Sequence, residues 1–350
     1  MPAALPIDTD ELVRFLTALL NTPSPSGRAL AAMALVEQAL HEIGLPARRT
    51  LKGGLVAEWA GAAQDAPRAL TAHVDTLGAM VRQIKPNGRL RLTQIGGYAW
   101  NTIEGEGCTV LTAAGRSVRG SVLLTKASAH VFGKAVGETA RDEDSLEVRL
   151  DERTTSEQET RALGVEVGDV VALDPRLEAG PAGFIRSRHL DDKAGVACVL
   201  AAARALRQAG LQPAQRTFLH FSNYEETGHG AASGIPPEAV ELVAVDMAAV
   251  GEGQASDEFH ATLCAKDSRG PYDEALSRRL IDLAAAAGIP VRVDIYPHYG
   301  SDAEAYWWAG GAAPTALIGP GIDASHNLER THIEALVATA QWIAEYLRHP

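Results

Sequence analysis

The stretch "DDKAGVACVLAAARALRQAGLQPAQRTFLHFSNYEE", Asp191 to Glu226, decides the fold. An alanine- and leucine-rich run from the paired aspartates to Gly210 reads as a helix, and "RTFLHFSNY" after it reads as a strand. The same alternation continues downstream. The strands "ELVAVDMA" and "EFHATLCA" are followed by the helix "EALSRRLIDLAAAAG", the strand "VRVDIY", the apolar stretch "APTALIG" and an amphipathic helix from about Ile333 to Leu347. Helix alternating with strand predicts an α/β fold, an open sheet with helices on both faces.

Upstream, Leu12, Phe15, Leu16, Leu19 and Leu20 recur at helical spacing, and a second helical pattern runs from about Arg28 to Ile43. "GGLVAEWAG" and "PRALTAHVD" follow as short buried strands. From Thr76 to Arg188 the texture changes to short apolar alternations broken by glycine, as in "NGRLRL", "GRSVRGSVLL", "DSLEVRL" and "VGDVVALDP". The expected organisation is therefore an α/β domain built from residues 1–75 and 189–350, interrupted by a smaller β-rich domain over 76–188. The insert's size and strand content suit subunit contacts and cavity lining, through sheet edges or apolar patches, or equally a lid.

Composition narrows the function. At 350 residues and 46% hydrophobic content the chain has ample material for a core. With 32 Lys and Arg against 44 Asp and Glu, its formal charge of −12 argues against a nucleic-acid or anionic-membrane partner. Cys108, Cys198 and Cys264 are widely spaced and form no CxxC, so neither a disulfide framework nor a thiolate zinc knuckle is expected, and a reducing cytoplasm is the simplest location. The N-terminus lacks the basic start and apolar run of a signal peptide, and no apolar run reaches the ~18 residues of a membrane span.

In open α/β sheets, ligands bind beyond the carboxyl ends of the strands. His73 and Asp75 follow "RALTA", Glu225 and Glu226 follow "TFLHFSN", Asp246 ends "ELVAV", and His326 lies in the loop after "APTALIG". Asp191 and Asp192 precede a helix, where its dipole favours carboxylates. Each has an ordinary structural reading taken alone. An Asp pair before a helix is most often an N-cap with a solvated neighbour. A single His at a strand end is usually a hydrogen-bonded structural residue, and adjacent glutamates in a polar turn usually face solvent. Asp246 is harder to dismiss, because an acid ending an apolar run is costly to bury unpaired. Together the candidates fall on one rim. His and carboxylate ligands without thiolate suit a catalytic zinc-type site, and their number suits two ions.

Five segments, "AHVDTLG" (72–78), "RHLDDKAG" (188–195), "YEETGHG" (224–230), "VAVDMA" (243–248) and "GIDASHNLERTH" (321–332), resemble the M42 family of co-catalytic metallo-aminopeptidases. That family includes glutamyl and tetrahedral aminopeptidases, and the resemblance covers nearly the whole chain, including the insert. It implies a zinc-peptidase-like core with an open mixed sheet. It also implies two divalent metal ions per subunit: zinc, with cobalt or manganese as alternatives. His73, Asp191 and Asp246 would bind one ion, and Asp191, Glu226 and His326 the other, so that Asp191 bridges. Asp75 matches the carboxylate that would orient the imidazole of His73. Glu225 matches the general base that activates a metal-bridging water.

The implied activity is removal of the N-terminal residue from short peptides with a free α-amine, by a cytoplasmic homo-oligomer of the tetrahedral dodecamer type. The alternatives are a related amidohydrolase, deacylase or carboxypeptidase, or a catalytically silent scaffold that keeps the fold. Lys193 stands where the family commonly has Arg, and a structural role is expected for it. "YGSDA" (299–303) resembles a family GTDA-like segment, which places Asp302 near the site with no assigned job. Asp192 would follow a cis peptide and is not expected to ligate, and His220 and His229 are read as structural. "HVDTLGAMV", "SRHLDDKAG" and "DASHNLERTH" resemble most closely a bacterial branch associated with gene clusters for an osmoprotectant dipeptide amide. The pocket for the substrate's first residue is expected from "DMAAVGEGQAS" and "GPGIDASH".

Overall fold

The computed structural model describes residues 4–350. The chain opens with helices α1 (Thr9–Leu20) and α2 (Leu30–Glu42) and strands β1 (Ala47–Arg49), β2 (Leu55–Trp59) and β3 (Ala63–His73). Then come β4 (Gly78–Ile84), β5 (Leu90–Ile95), β6 (Gly107–Leu111), β7 (Ser117–Leu124), the short helices α3 (Ala129–Phe132) and α4 (Ala135–Glu138), β8 (Leu146–Leu150), α5 (Glu157–Ala162) and β9 (Val170–Leu173). The remainder is β10 (Glu178–Ala179), β11 (Phe184–Ser187), α6 (Leu190–Gln208), β12 (Gln215–Ser222), β13 (Glu241–Val245), β14 (Ala248–Val250), β15 (Ala261–Lys266), α7 (Glu274–Ala287), β16 (Val291–Ile295), α8 (Asp302–Trp308), β17 (Thr315–Asp323), β18 (Glu329–His332) and α9 (Ile333–Arg348).

Two compact units result. One contains the residues up to Asp75 together with Arg176–Pro350, and the other is Thr76–Pro175. The second crossing thus lies thirteen residues before the boundary expected at 188/189. The physical reason is pairing: β11 joins β18 antiparallel, with Ile185 opposite Thr331, so the strand-like texture of 176–188 belongs to the larger unit's sheet.

The larger unit is a mixed sheet of twelve strands, ordered β1-β2-β12-β3-β13-β17-β18-β11-β10, with β14 and β15 also on β17 and β16 beyond β15. Its centre, β12, β3, β13 and β17, is parallel. These strands are buried on both faces and read as near-continuous apolar runs. On one face Leu70, Ala72, Leu219, Phe221, Val243 and Val245 share a core with α1, α2, α6, α7 and α9. α1 joins it through Leu12, Leu16 and Leu19, spaced by a turn of helix, and starts where the Asp8 side chain accepts the Glu11 N–H. On the other face lie Ala69, Phe218 and Leu242, with α8 contributing the partly buried Tyr306. Helices therefore cover both faces, most of them on one.

The smaller unit is a closed antiparallel barrel, β4-β5-β8-β7-β6-β9, filled by Val81, Leu92, Val110, Val122, Val148 and Val171 among others. Closure removes sheet edges. The insert therefore does not offer the free strand edges that its sequence suggested.

Candidate metal centre

Strand register brings the candidates together. β3 and β12 run parallel with His73 opposite Ser222, so the turn carrying Glu225 and Glu226 starts beside the end of β3. β13 pairs Ala244 with Thr71, and two residues further on Asp246 comes level with His73. The Asp246 N–H donates to the Ile318 carbonyl at 3.0 Å. Gly319 permits that approach, since a Cβ there would lie 1.6 Å from the Asp246 oxygen. His326 follows β17 with φ +63°, and Asp191 and Asp192 open α6 across a cis peptide.

The geometry centres on Asp191. One of its carboxylate oxygens lies 3.1 Å from Nε2 of His73 and the other 3.3 Å from Nε2 of His326. Around His73 Nε2 stand Glu225 at 3.6 Å and Asp246 at 3.9 Å; Glu226 is 3.8 Å from His326 Nε2. Donors that share a tetrahedral zinc ion at about 2.0–2.1 Å lie about 3.4 Å apart, so these separations suit metal ligation. Two trios have ligand atoms mutually within 4.8 Å: His73, Asp192 and Asp246, and Asp191, Glu226 and His326. Asp192 differs from the others in its bonding. Its oxygens accept the N–H groups of His73 at 3.2 Å and Gly195 at 3.1 Å, the second in the manner of an N-cap, because the regular helical backbone of α6 begins only after the kink at Asp191 and Asp192.

The expected role of the Asp75 carboxylate needs correction. His73 Nδ1–H donates to the main-chain oxygen of Asp75 at 2.9 Å, while the carboxylate stands 3.9 Å away. β3 ends at His73, so the chain turns before Asp75 and its side chain points elsewhere. It accepts from Ser26 Oγ at 2.5 Å and from the N–H groups of Glu225 at 3.1 Å and Glu226 at 3.4 Å. Asp75 thus holds the turn that presents the two glutamates, and its carbonyl leaves Nε2 of His73 as the nitrogen facing the cluster.

Electrostatics show what the site lacks. Burial raises the pKa of Glu225, Glu226 and Asp246 well above the carboxylate range, and neighbouring acids add to the shift. Burial acts on Asp191 in the same sense, but His326 and His73 outweigh it and hold it well below that range. Burial opposes charge on the imidazoles; the surrounding carboxylates outweigh it, raising His73 strongly and His326 to about 10. Crowded acids in a dehydrated cluster call for further positive charge, which divalent cations supply. The donor set fits such ions.

Several residues go beyond the sequence reading. Glu329 is 2% exposed and accepts the N–H groups of Asp191 at 3.2 Å and His326 at 3.1 Å, tying two candidate ligands to one carboxylate. Its position three residues after His326 was the available signal. Asp302 receives a job: it accepts from Thr71 Oγ1 at 2.9 Å and from the Ala231 N–H at 2.7 Å, just beyond the Glu225–Glu226 turn. Ser26 carried no sequence signal. Lys193 is structural, its Nζ donating to the carbonyls of Leu19 and Thr22, and burial lowers its pKa to about 7. His229 stacks on Tyr224, and His220 Nδ1 lies 2.9 Å from Thr71 Oγ1; both stand outside the two trios. The cysteines are free and buried, and none belongs to either trio.

An open cleft of about 930 Å³ leads to the cluster, with Asp191, Glu225, Glu226, Asp246 and His326 in its lining. Met247 and Ser325 come from the two segments expected to form the pocket. Tyr299, Gly300 and Ser301 of the "YGSDA" segment line it as well, together with His298 and Glu304, which the sequence had not indicated.

A buried Asp between two His residues, ringed by acids at the ends of parallel strands, agrees with the sequence profile described as M42 glutamyl aminopeptidase, which matches residues 53–342. The chain belongs to the M42 family. It is accordingly a peptide hydrolase of a metal-dependent family. The protein named "Putative aminopeptidase YhfE" of Bacillus subtilis strain 168 is 44% identical over 342 residues, 98% of each chain. The lysyl aminopeptidase of Pyrococcus furiosus is 26% identical over 213 residues, 60% of this chain and 58% of the relative. The aminopeptidase APDkam598 of Desulfurococcus kamchatkensis has the same fold at a TM-score of 0.87 and 19% identity, covering 98% of this chain and 96% of its own. The TET1 peptidase of Pyrococcus horikoshii superposes at 0.83 and 20% identity, covering 97% and 100%. Among the described residues no helix is long and apolar enough to cross a membrane.

Proposed function

We propose that this M42 peptidase is an aminopeptidase that holds two divalent cations and removes the N-terminal residue from short peptides. The observation that carries the reading is the Asp191 carboxylate, with one oxygen toward His73 and the other toward His326 at the foot of an open cleft. In this reading His73, Asp191 and Asp246 hold one ion, and Asp191, Glu226 and His326 the other. Asp192 is set aside as a ligand because main-chain N–H groups already engage both its oxygens. His and carboxylate donors suit zinc and also accept cobalt or manganese. Such ions, when bound, polarise a carbonyl and acidify water.

The chain's own residues do the rest. Glu225 takes a proton from the attacking water and returns one to the departing amine. Its carboxylate lies 3.6 Å from His73 Nε2 and lines the cleft, while Asp75 grips its main-chain N–H. Glu226, one residue on, faces His326 instead. His298, Tyr299 and Glu304 shape the wall against which the substrate's first residue lies; the Tyr299 hydroxyl donates to the Met247 carbonyl at 2.8 Å, which fixes that ring.

A homo-oligomer is part of the same reading. The TET1 peptidase of P. horikoshii can assemble into a tetrahedron or a large octahedral shell, and its likeness in fold supports assembly here. The three widely spaced free cysteines support a reducing cytoplasm.

The test is a panel of short peptides with free and blocked α-amines, assayed with defined metals, with Glu225→Gln as control. Cleavage requiring a free amine supports the aminopeptidase. Glu225→Gln is expected to retain metal and lose at least about a hundredfold in turnover. Undiminished cleavage of blocked peptides would instead establish an amidohydrolase, deacylase or carboxypeptidase, and metal-loaded protein inert across the panel would establish a scaffold.

A further inference from the structure

We infer that β16 is a homotypic docking edge, which pairs antiparallel with β16 of a second copy of this chain about a two-fold axis at Val293. This names the contact behind the homo-oligomer proposed above and rests on that reading.

β16 ends one side of the sheet: it pairs with β15, and no other strand among the described residues joins it. The outward side can be told from the bonds at its end. The Tyr296 N–H donates inward to Lys266 of β15. Ile295 is bonded away from β15, its N–H to the Asp294 carboxylate at 2.8 Å and its carbonyl to Gln254 Nε2 at 2.7 Å. Main-chain polar groups alternate between the two edges of a strand, so those of Val293 and Val291 also point outward, as antiparallel pairing requires. Natural edges are commonly guarded by proline, bulges or inward charges. Here Val293 and Ile295 are instead 45% and 55% exposed.

The sequence Val291-Arg292-Val293-Asp294-Ile295 is self-complementary in one register. Centred on Val293, antiparallel pairing sets Val291 opposite Ile295 of the other copy and Arg292 opposite Asp294. One face gains an unbroken apolar row, and the other gains two Arg–Asp pairs at the closely spaced, non-hydrogen-bonded positions. A shift of two residues either way places Arg292 against itself or Asp294 against itself, and in-register parallel pairing does both. Charge therefore selects both direction and register. Pairing exchanges the present bonds of Ile295, its N–H to Asp294 and its carbonyl to Gln254, for main-chain bonds to Val291 of the second copy. Arg292 Nε lies 3.5 Å from Asp257, and Asp294 accepts from the neutral Ser256, so Arg292 gains a second ionic neighbour and Asp294 its first. Val291 is partly buried and already packs against the core, so the new apolar row extends that layer across the axis.

The test is thiol cross-linking of the full chain under mild oxidation. Hydrogen-bonded antiparallel partners have Cα atoms about 5.5 Å apart, within the range of about 4.4–6.8 Å that a disulfide spans. Val293→Cys should form a disulfide-linked dimer at least about tenfold faster than Val240→Cys, an exposed control elsewhere on the same unit. The native cysteines are buried and add no background. Arg292→Asp, which sets Asp against Asp at both pairs, should slow cross-linking of Val293→Cys at least about tenfold and reduce the mass seen by light scattering. Equal rates for Val293→Cys and Val240→Cys in an oligomer would overturn the β16 contact and leave the oligomer standing. An active monomer at every concentration would overturn both.

Discussion

His220 allows a prediction worked through from structure to number. It is 2% exposed, and Thr71 Oγ1 lies 2.9 Å from its Nδ1. The Thr71 hydroxyl donates to Asp302, so it accepts from His220, which fixes the proton on Nδ1. Nε2 faces Gly234, where a Cβ would sit 2.5 Å away. A second proton would have to enter that dehydrated corner. Burial lowers the His220 pKa from 6.5 to about 4; Asp302 opposes the shift, and Lys52 and Arg48 reinforce it. The unfolded chain therefore binds a proton near pH 6.5 that the folded chain refuses until about pH 4. Stability from this group is complete above about 6.5 and is lost as pH falls through that window. The gap corresponds to about 3 kcal/mol. His220→Asn retains an amide donor near Nδ1 and cannot titrate. Urea unfolding of both proteins from pH 7 to pH 4 should show the wild type losing about 3 kcal/mol more than the variant. Parallel curves, or an NMR titration placing the His220 midpoint near 6.5, would refute the reasoning.

Other residues give sharper tests of the site's framework. Asp75→Asn leaves one oxygen for three donors; it should cost about 1–3 kcal/mol in folding and lower turnover at saturating metal, because Glu225 loses its anchor. If Asp75 acted mainly on His73, metal affinity would fall first, which titration against a chromogenic chelator would reveal. Glu329→Gln strands the N–H of Asp191 or His326; metal affinity should fall about 10–100-fold, the range for residues that orient ligands, with turnover recovering at excess metal. Chelation should abolish peptide hydrolysis yet leave a folded protein, with a melting temperature that rises again as metal is added back, as mass action requires.

The α/β core was legible because central parallel strands and their helices carry strong periodic patterns, and the candidate ligands because strand carboxyl ends are where such folds bind. What escaped depended on pairing and direction. Residues 176–188 look like the insert's strands, and only the bonds of β11 to β18 assign them to the larger unit. Asp75 lies two residues after His73, a spacing that on a continuing strand would place both side chains on one face. The strand stops at His73, and the chain's turn gives the ring a carbonyl and the Glu225–Glu226 turn the carboxylate. Glu329, between Leu328 and Arg330, lies on no apolar run that would mark it as buried; its burial follows from the return of β18 onto β17.

The buried acids divide by what their oxygens meet. Asp75, Asp192, Asp302 and Glu329 accept main-chain N–H groups, and those groups belong to Glu225 and Glu226, to His73 and Gly195, to Ala231 just beyond the glutamate turn, and to Asp191 and His326. Asp191 meets two imidazoles instead, and Glu226 and Asp246 face the same nitrogens, Asp246 with one main-chain bond of its own, from the Met247 N–H at 2.7 Å. The first set needs no cation to be satisfied, because amide dipoles already stabilise its charge. The second set gains most from one. A framework held by the first set can keep the second in place, which in the proposed reading would preorganise the site for its cations. It also explains how adjacent glutamates diverge. Asp75 holds both their N–H groups, so the main chain is fixed and the two side chains are left to reach different partners, Glu225 toward His73 and Glu226 toward His326.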